Sequence, residues 1–162
     1  MKLKIILPIA AVALLLVGVV LLALTLGLPK NEFVKDLTLN DSDVTQENIE
    51  LSANGLIPGD SREYTLNFKG KATGNYSLSF EFVEVGQGAL KDFVDVTLQC
   101  GENVYSYKLA QLLDGTSVNF HCRISTQEVT VVKIIYSMSE DVGNGAQNAT
   151  ADFTINITAK KG

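Results

Sequence analysis

Two-residue alternation of apolar and polar side chains runs through most of the chain beyond residue 33. Ala151, Phe153, Ile155, Ile157 and Ala159 alternate with Asp152, Thr154, Asn156 and Thr158. One face is dry and the other wet, as in a half-buried antiparallel strand. The same period recurs at residues 64–68, 76–82, 94–100 and 118–124, and more briefly at 33–39, 49–53 and 104–109. Residues 129–136 differ, being apolar on both faces apart from Thr130 and Lys133. That pattern predicts either a strand buried on both sides or one that pairs with something else. Gly, Asn and Asp cluster between the runs, as at Pro58-Gly59-Asp60, Asp114-Gly115 and Gly143-Asn144-Gly145. Such residues supply positive φ or local hydrogen bonds in turns. No helical period of useful length follows Leu28. The pattern predicts an all-β, antiparallel two-sheet sandwich of about eight or nine strands, jelly-roll or Ig-like, preceded by one N-terminal hydrophobic helix.

That helix falls on residues 5–28, which carry no charge and are interrupted only by Pro8, Gly18, Thr25 and Gly27. At the helical rise the run spans about 36 Å, enough for a bilayer core of about 30 Å. A permanent anchor and a cleaved signal segment both fit. Signal peptides have a shorter apolar core and a small-x-small cleavage site; Ala23-Leu24-Thr25 and Thr25-Leu26-Gly27 are poor ones. Under either reading Lys2 and Lys4 stay in the cytoplasm. Residues 29–162 are then an extracellular domain, tethered by a single pass through the cell membrane or secreted.

Residues 29–162 hold all 18 acidic residues and all 13 basic ones except Lys2 and Lys4, a net charge of −7. An acidic surface argues against nucleic acid and against anionic lipid. Cys100 and Cys122 are the only cysteines. Both fall on inward positions of alternating strands, and outside the cell a disulfide between them is expected, with two buried thiols as the alternative. A bond closing that 22-residue interval would be worth roughly 3 kcal/mol by loop-closure arithmetic.

Catalytic chemistry finds no foothold. His121 is the sole imidazole and sits on an outward position, whereas a zinc protease needs converging ligands and a general base. No G-x-S-x-G elbow occurs. Asp41-Ser42-Asp43 lacks the Gly and distal Glu of a calcium loop and reads as solvated. Asn75, Asn148 and Asn156 begin glycosylation sequons, relevant only in a eukaryotic secretory pathway. The chain is therefore read as a non-enzyme with no metal, cofactor or small-molecule substrate. Its expected partners are the membrane, through residues 5–28, and further copies of itself or related surface proteins. Thr130, Val132, Ile134 and Tyr136 belong to a run of high β propensity, low charge and no proline, the composition of cross-β segments. This run is expected to be either a core strand with Lys133 as gatekeeper or a self-association strand. In the second case Val132→Lys would block assembly without unfolding the monomer.

Gly55-Leu-Ile-Pro58-Gly59-Asp60-Ser61 stands ahead of the alternating strand at 64–68. A second stretch runs from Ser137 through Gly143 and Asn144, then Ala146-Gln147-Asn148, into the final alternating strand. In order and spacing these two stretches resemble the TasA/camelysin family of Gram-positive bacteria. The resemblance covers roughly residues 55–159. It implies a surface or secreted β-sandwich that serves as a non-catalytic structural subunit of a biofilm matrix. Subunits of that kind join by strand addition, with backbone hydrogen bonds giving affinity and alternate side chains giving register. A monomeric, membrane-anchored recognition module is the alternative. The metalloendopeptidase label that some family members carry has no matching ligands here. Residues 27–33 also lack the family's small-aromatic-Ser/Asp stretch, and the paired cysteines are not part of its pattern.

Overall fold

The computed structural model describes residues 30–40, 44–86, 88–143, 146 and 149–162. The apolar run at 5–28 and the boundary at 28/29 lie outside the described residues, among which no helix is long and apolar enough to cross a membrane. Residues Asn31–Gly162 form one compact unit.

Nine strands are described: β1 Lys30–Leu39, β2 Val44–Ser52, β3 Ser61–Gly70, β4 Gly74–Glu84, β5 Val94–Cys100, β6 Asn103–Lys108, β7 Val118–Ile124, β8 Thr130–Met138 and β9 Asp152–Lys161. They form a sandwich of two sheets, ordered β1-β3-β8-β5-β6 and β2-β9-β4-β7. The described ladders β2–β9, β3–β8, β4–β7, β4–β9, β5–β6 and β5–β8 are antiparallel. β1 is the exception. Its Phe33 ring meets Tyr64, its Asp36 meets Asn67, and the Leu39 carbonyl accepts from the Lys71 N–H. The two sequences ascend together, so β1 lies parallel to β3.

Alternation builds the core directly. Leu66, Phe68, Val96, Leu98, Val132, Ile134 and Tyr136 of one sheet face Leu78, Phe80, Phe82, Phe120, Phe153, Ile155 and Ile157 of the other, all almost wholly buried. Aromatic edges knit the layers, with Phe68 to Phe80 at 6.4 Å and Tyr136 to Phe153 at 5.6 Å, both T-shaped.

Three expectations need correction. β8 is not an adhesive edge: it is the central strand of its sheet, paired to β3 on one side and β5 on the other. Val132, Ile134 and Tyr136 are buried and Thr130 half-buried. The strand is not buried on both sides either, since Val131 on the outer face is 38% exposed. Its outer face carries Lys133, whose Nζ reaches the Glu63 carboxylate of β3 at 2.9 Å. Residues 104–109 are not all strand, because the chain turns into a short helix, α1, at Leu109–Leu113. There the Lys108 N–H donates to the Gln111 side chain at 2.9 Å, and Leu109 and Leu112 are fully buried. Finally, β2 begins five residues before its apolar signal. The polar stretch Val44–Asn48 is held by pairing with β9, from Val44↔Lys160 to Asn48↔Asn156.

Candidate functional site

Three features of this frame could carry function: a cleft at one end, the open edges of the sheets, and the cysteine pair. The cleft forms where the Pro58-Gly59-Asp60 turn meets the loop around Gly143. Gly59 adopts φ 87°, a conformation that suits glycine. Its N–H donates to the Met138 carbonyl at 2.9 Å, and the Met138 N–H donates to the Asp60 carbonyl at 3.0 Å. The Pro58-Gly59-Asp60 turn thus extends the β3–β8 ladder. Gly143 lies in the facing loop; Asn144 and Gln147 fall outside the described residues. Between the loops is a cleft of about 760 Å³, with Leu56, Ile57, Val142, Ala146 and Ala149 in its wall. Its described lining contains no titratable side chain; Asn54 and Thr150 supply its polar side-chain groups.

Asn54, missed in the sequence, anchors this end. Its Nδ2 donates to Asp152 at 2.8 Å, and its Oδ1 accepts from the Ala151 N–H at 2.7 Å. The only signal was an Asn before Gly in a turn. Gly88 admits the same loop closely, because a Cβ there would stand 1.8 Å from the Thr150 carbonyl oxygen.

The outermost strands are β1 and β6 in one sheet, β2 and β7 in the other. The chain's prolines are Pro8, Pro29 and Pro58, so no described strand contains one. β6 is solvent-facing along nearly its whole length, with Val104 at 54% and Tyr105 at 39% exposure. Tyr105 leans on Phe120 of β7 at 5.3 Å. On the opposite side, Lys35 of β1 bridges to Glu47 of β2 at 3.3 Å. His121 is exposed on β7, paired across to Ser77. Among the described residues no three His, Cys, Asp or Glu side chains converge as a metal site.

Cys100 ends β5 in one sheet, and Cys122 lies in β7 of the other. Both thiols are free and line one open cleft from opposite sheets. The neighbouring Cys122 thiol lowers the Cys100 pKa to about 7, against burial, which raises it. Cys122 is pushed up by the neighbouring Cys100 thiol, then by burial.

No family model and no curated protein matches the chain. Among solved structures it is similar to part of the extracellular region of zebrafish Gpr126/Adgrg6, at 16% identity and TM-score 0.41, over 78% of this chain but only 15% of that one. It is also similar to the pre-peptidase C-terminal domain of a Bacillus anthracis collagenase, at 16% identity and TM-score 0.36, over 83% of this chain and all of the other. A third is PliG, a periplasmic inhibitor of g-type lysozyme from Aeromonas hydrophila, at 9% identity and TM-score 0.33, over 78% and 99%. These likenesses are too distant to carry function to this chain.

Proposed function

We propose that this chain is a non-catalytic structural protein of the cell surface or extracellular matrix that assembles by adding sheet edge to sheet edge. The observation behind the proposal is the pair of edges on the five-stranded sheet that no other described strand covers. β1 offers ten residues and β6 six, with no proline in either. Long edges are a liability that sandwich proteins usually blunt with proline, bulges or charge. Joining β1 of one copy to β6 of the next is a head-to-tail contact, which builds open filaments rather than closed dimers. Beneath those edges lies a packed core of apolar side chains that can serve as a rigid scaffold.

The test is concentration-dependent assembly of the purified chain, followed by light scattering and electron microscopy. Fibres with a strand spacing of about 4.7 Å are expected. Val34→Lys combined with Val104→Lys should suppress them, because both positions are exposed edge residues whose replacement leaves the core intact. A wild-type chain that stays monomeric at high concentration refutes the proposal. The second reading, a monomeric recognition module, draws on the 760 Å³ end cleft. It is favoured if a partner is crosslinked through Ile57, 61% exposed at the rim, and no fibres form.

A further inference from the structure

From the facing positions of Cys100 and Cys122 we infer an oxidation site: an intramolecular disulfide that staples the two sheets together on their β6–β7 side. No described backbone ladder joins the sheets there, because β6 and β7 are the outer strands of different sheets. Side-chain packing such as Tyr105 on Phe120 is what holds that side shut. The two cysteines flank this seam from opposite layers.

Access is provided as well. An open cleft of about 580 Å³ is lined by both cysteines together with Gly101, Asn103 and Thr130. An oxidant in disulfide form, such as oxidised glutathione or the disulfide of a thiol oxidoreductase, can approach through it. The Cys100 thiolate attacks one oxidant sulfur, forming a mixed disulfide and expelling the other half as a thiolate. The Cys122 thiolate then attacks the Cys100 sulfur and expels the second half. Two electrons pass to the oxidant, and the two protons lost by the cysteines go to the two departing thiolates. The neighbouring Cys122 thiol favours the first step, since it lowers the Cys100 pKa and so raises the thiolate fraction there.

The inference is independent of the assembly proposed above, and its readout does not depend on fibres. The purified full chain is incubated with oxidised glutathione, then trapped with excess maleimide after denaturation and weighed intact. The expected product is a monomer about 2 Da lighter than the reduced chain, taking up no maleimide until reductant is added. Its thermal midpoint should exceed that of the reduced chain by roughly 10 °C, from the 22-residue loop and the size of the domain. Amide exchange in β7 should slow on oxidation. Cys100→Ser and Cys122→Ser should each abolish the difference between oxidising and reducing conditions. Two maleimide-reactive thiols after oxidation, a persistent glutathione adduct, or a disulfide-linked dimer would each overturn the inference. The wild-type comparison needs no variant, so poor folding of a serine variant leaves the test intact.

Discussion

Tyr136→Phe is expected to make this protein more stable. The Tyr136 side chain of β8 is fully buried, and its hydroxyl has no hydrogen-bond partner among the described residues. Its ring is held by Tyr64 at 5.2 Å and Phe153 at 5.6 Å, contacts that phenylalanine keeps. An unsatisfied buried hydroxyl costs about 1–3 kcal/mol in mutational data. Removing the oxygen forfeits dispersion contacts worth roughly 0.5 kcal/mol. The net gain is about 1 kcal/mol, or a rise of roughly 4 °C in thermal midpoint for a domain of this size. Urea titration and calorimetry measure both. The variant should also resist alkali. Burial, and then the nearby Tyr64, raise the Tyr136 pKa well above the ordinary tyrosine value. The folded state therefore keeps a proton that the unfolded chain releases near pH 10. The stability tied to that proton is intact below pH 10 and declines as pH rises past it. Tyr136→Phe should flatten that decline. A loss of 1 kcal/mol or more at pH 7 would refute the reasoning, because it would mean that the hydroxyl is satisfied in solution.

Other substitutions probe other parts of the frame. Val132→Lys should unfold the monomer rather than merely block assembly, costing upwards of about 4 kcal/mol by circular dichroism melting, because Val132 has no exposed surface. Lys133→Met should cost about 1–2 kcal/mol in urea, since it strands the nearly buried Glu63 carboxylate, and Glu63→Gln in the same chain should recover part of it. Gly88→Ala should cost about 3 kcal/mol, because the Thr150 carbonyl occupies the space a methyl group needs; a neutral melt would show that the loop can move aside.

The strands with clean alternation were legible in the sequence because each has one face on the core and one in water. β9 and β4 are the clearest cases, with Phe153, Ile155 and Ile157 against Leu78, Phe80 and Phe82. The role of β8 was not legible. An apolar run on both faces fits a central strand and an adhesive edge equally, and only its pairing with β3 and β5 decides between them. Nor could α1 be seen, because five residues complete barely more than one turn and leave no period to detect. The early part of β2 is polar after Val44, shows no apolar alternation, and is held as a strand by β9 beside it. At the cysteines, inward orientation could be read locally, but that their sulfurs meet across the sheets is a property of the packing. The cleft was hidden for the same reason, since its walls come from loops more than eighty residues apart in the chain.

The strand order also bears on how the chain can fold as it emerges. β8 and β9, the last described strands, are interior strands of the two sheets. Until β8 is available, β3 and β5 cannot be joined; until β9 is available, β2 has no neighbour and β4 has only β7. A nascent chain ending before Asp152 can therefore assemble the five-stranded sheet and pair β4 with β7, but cannot close the second sheet. Closure waits for contacts between distant segments, a topology that folds slowly and leaves edges open meanwhile. Until then the waiting strands present unpaired edges of the kind a chaperone can hold.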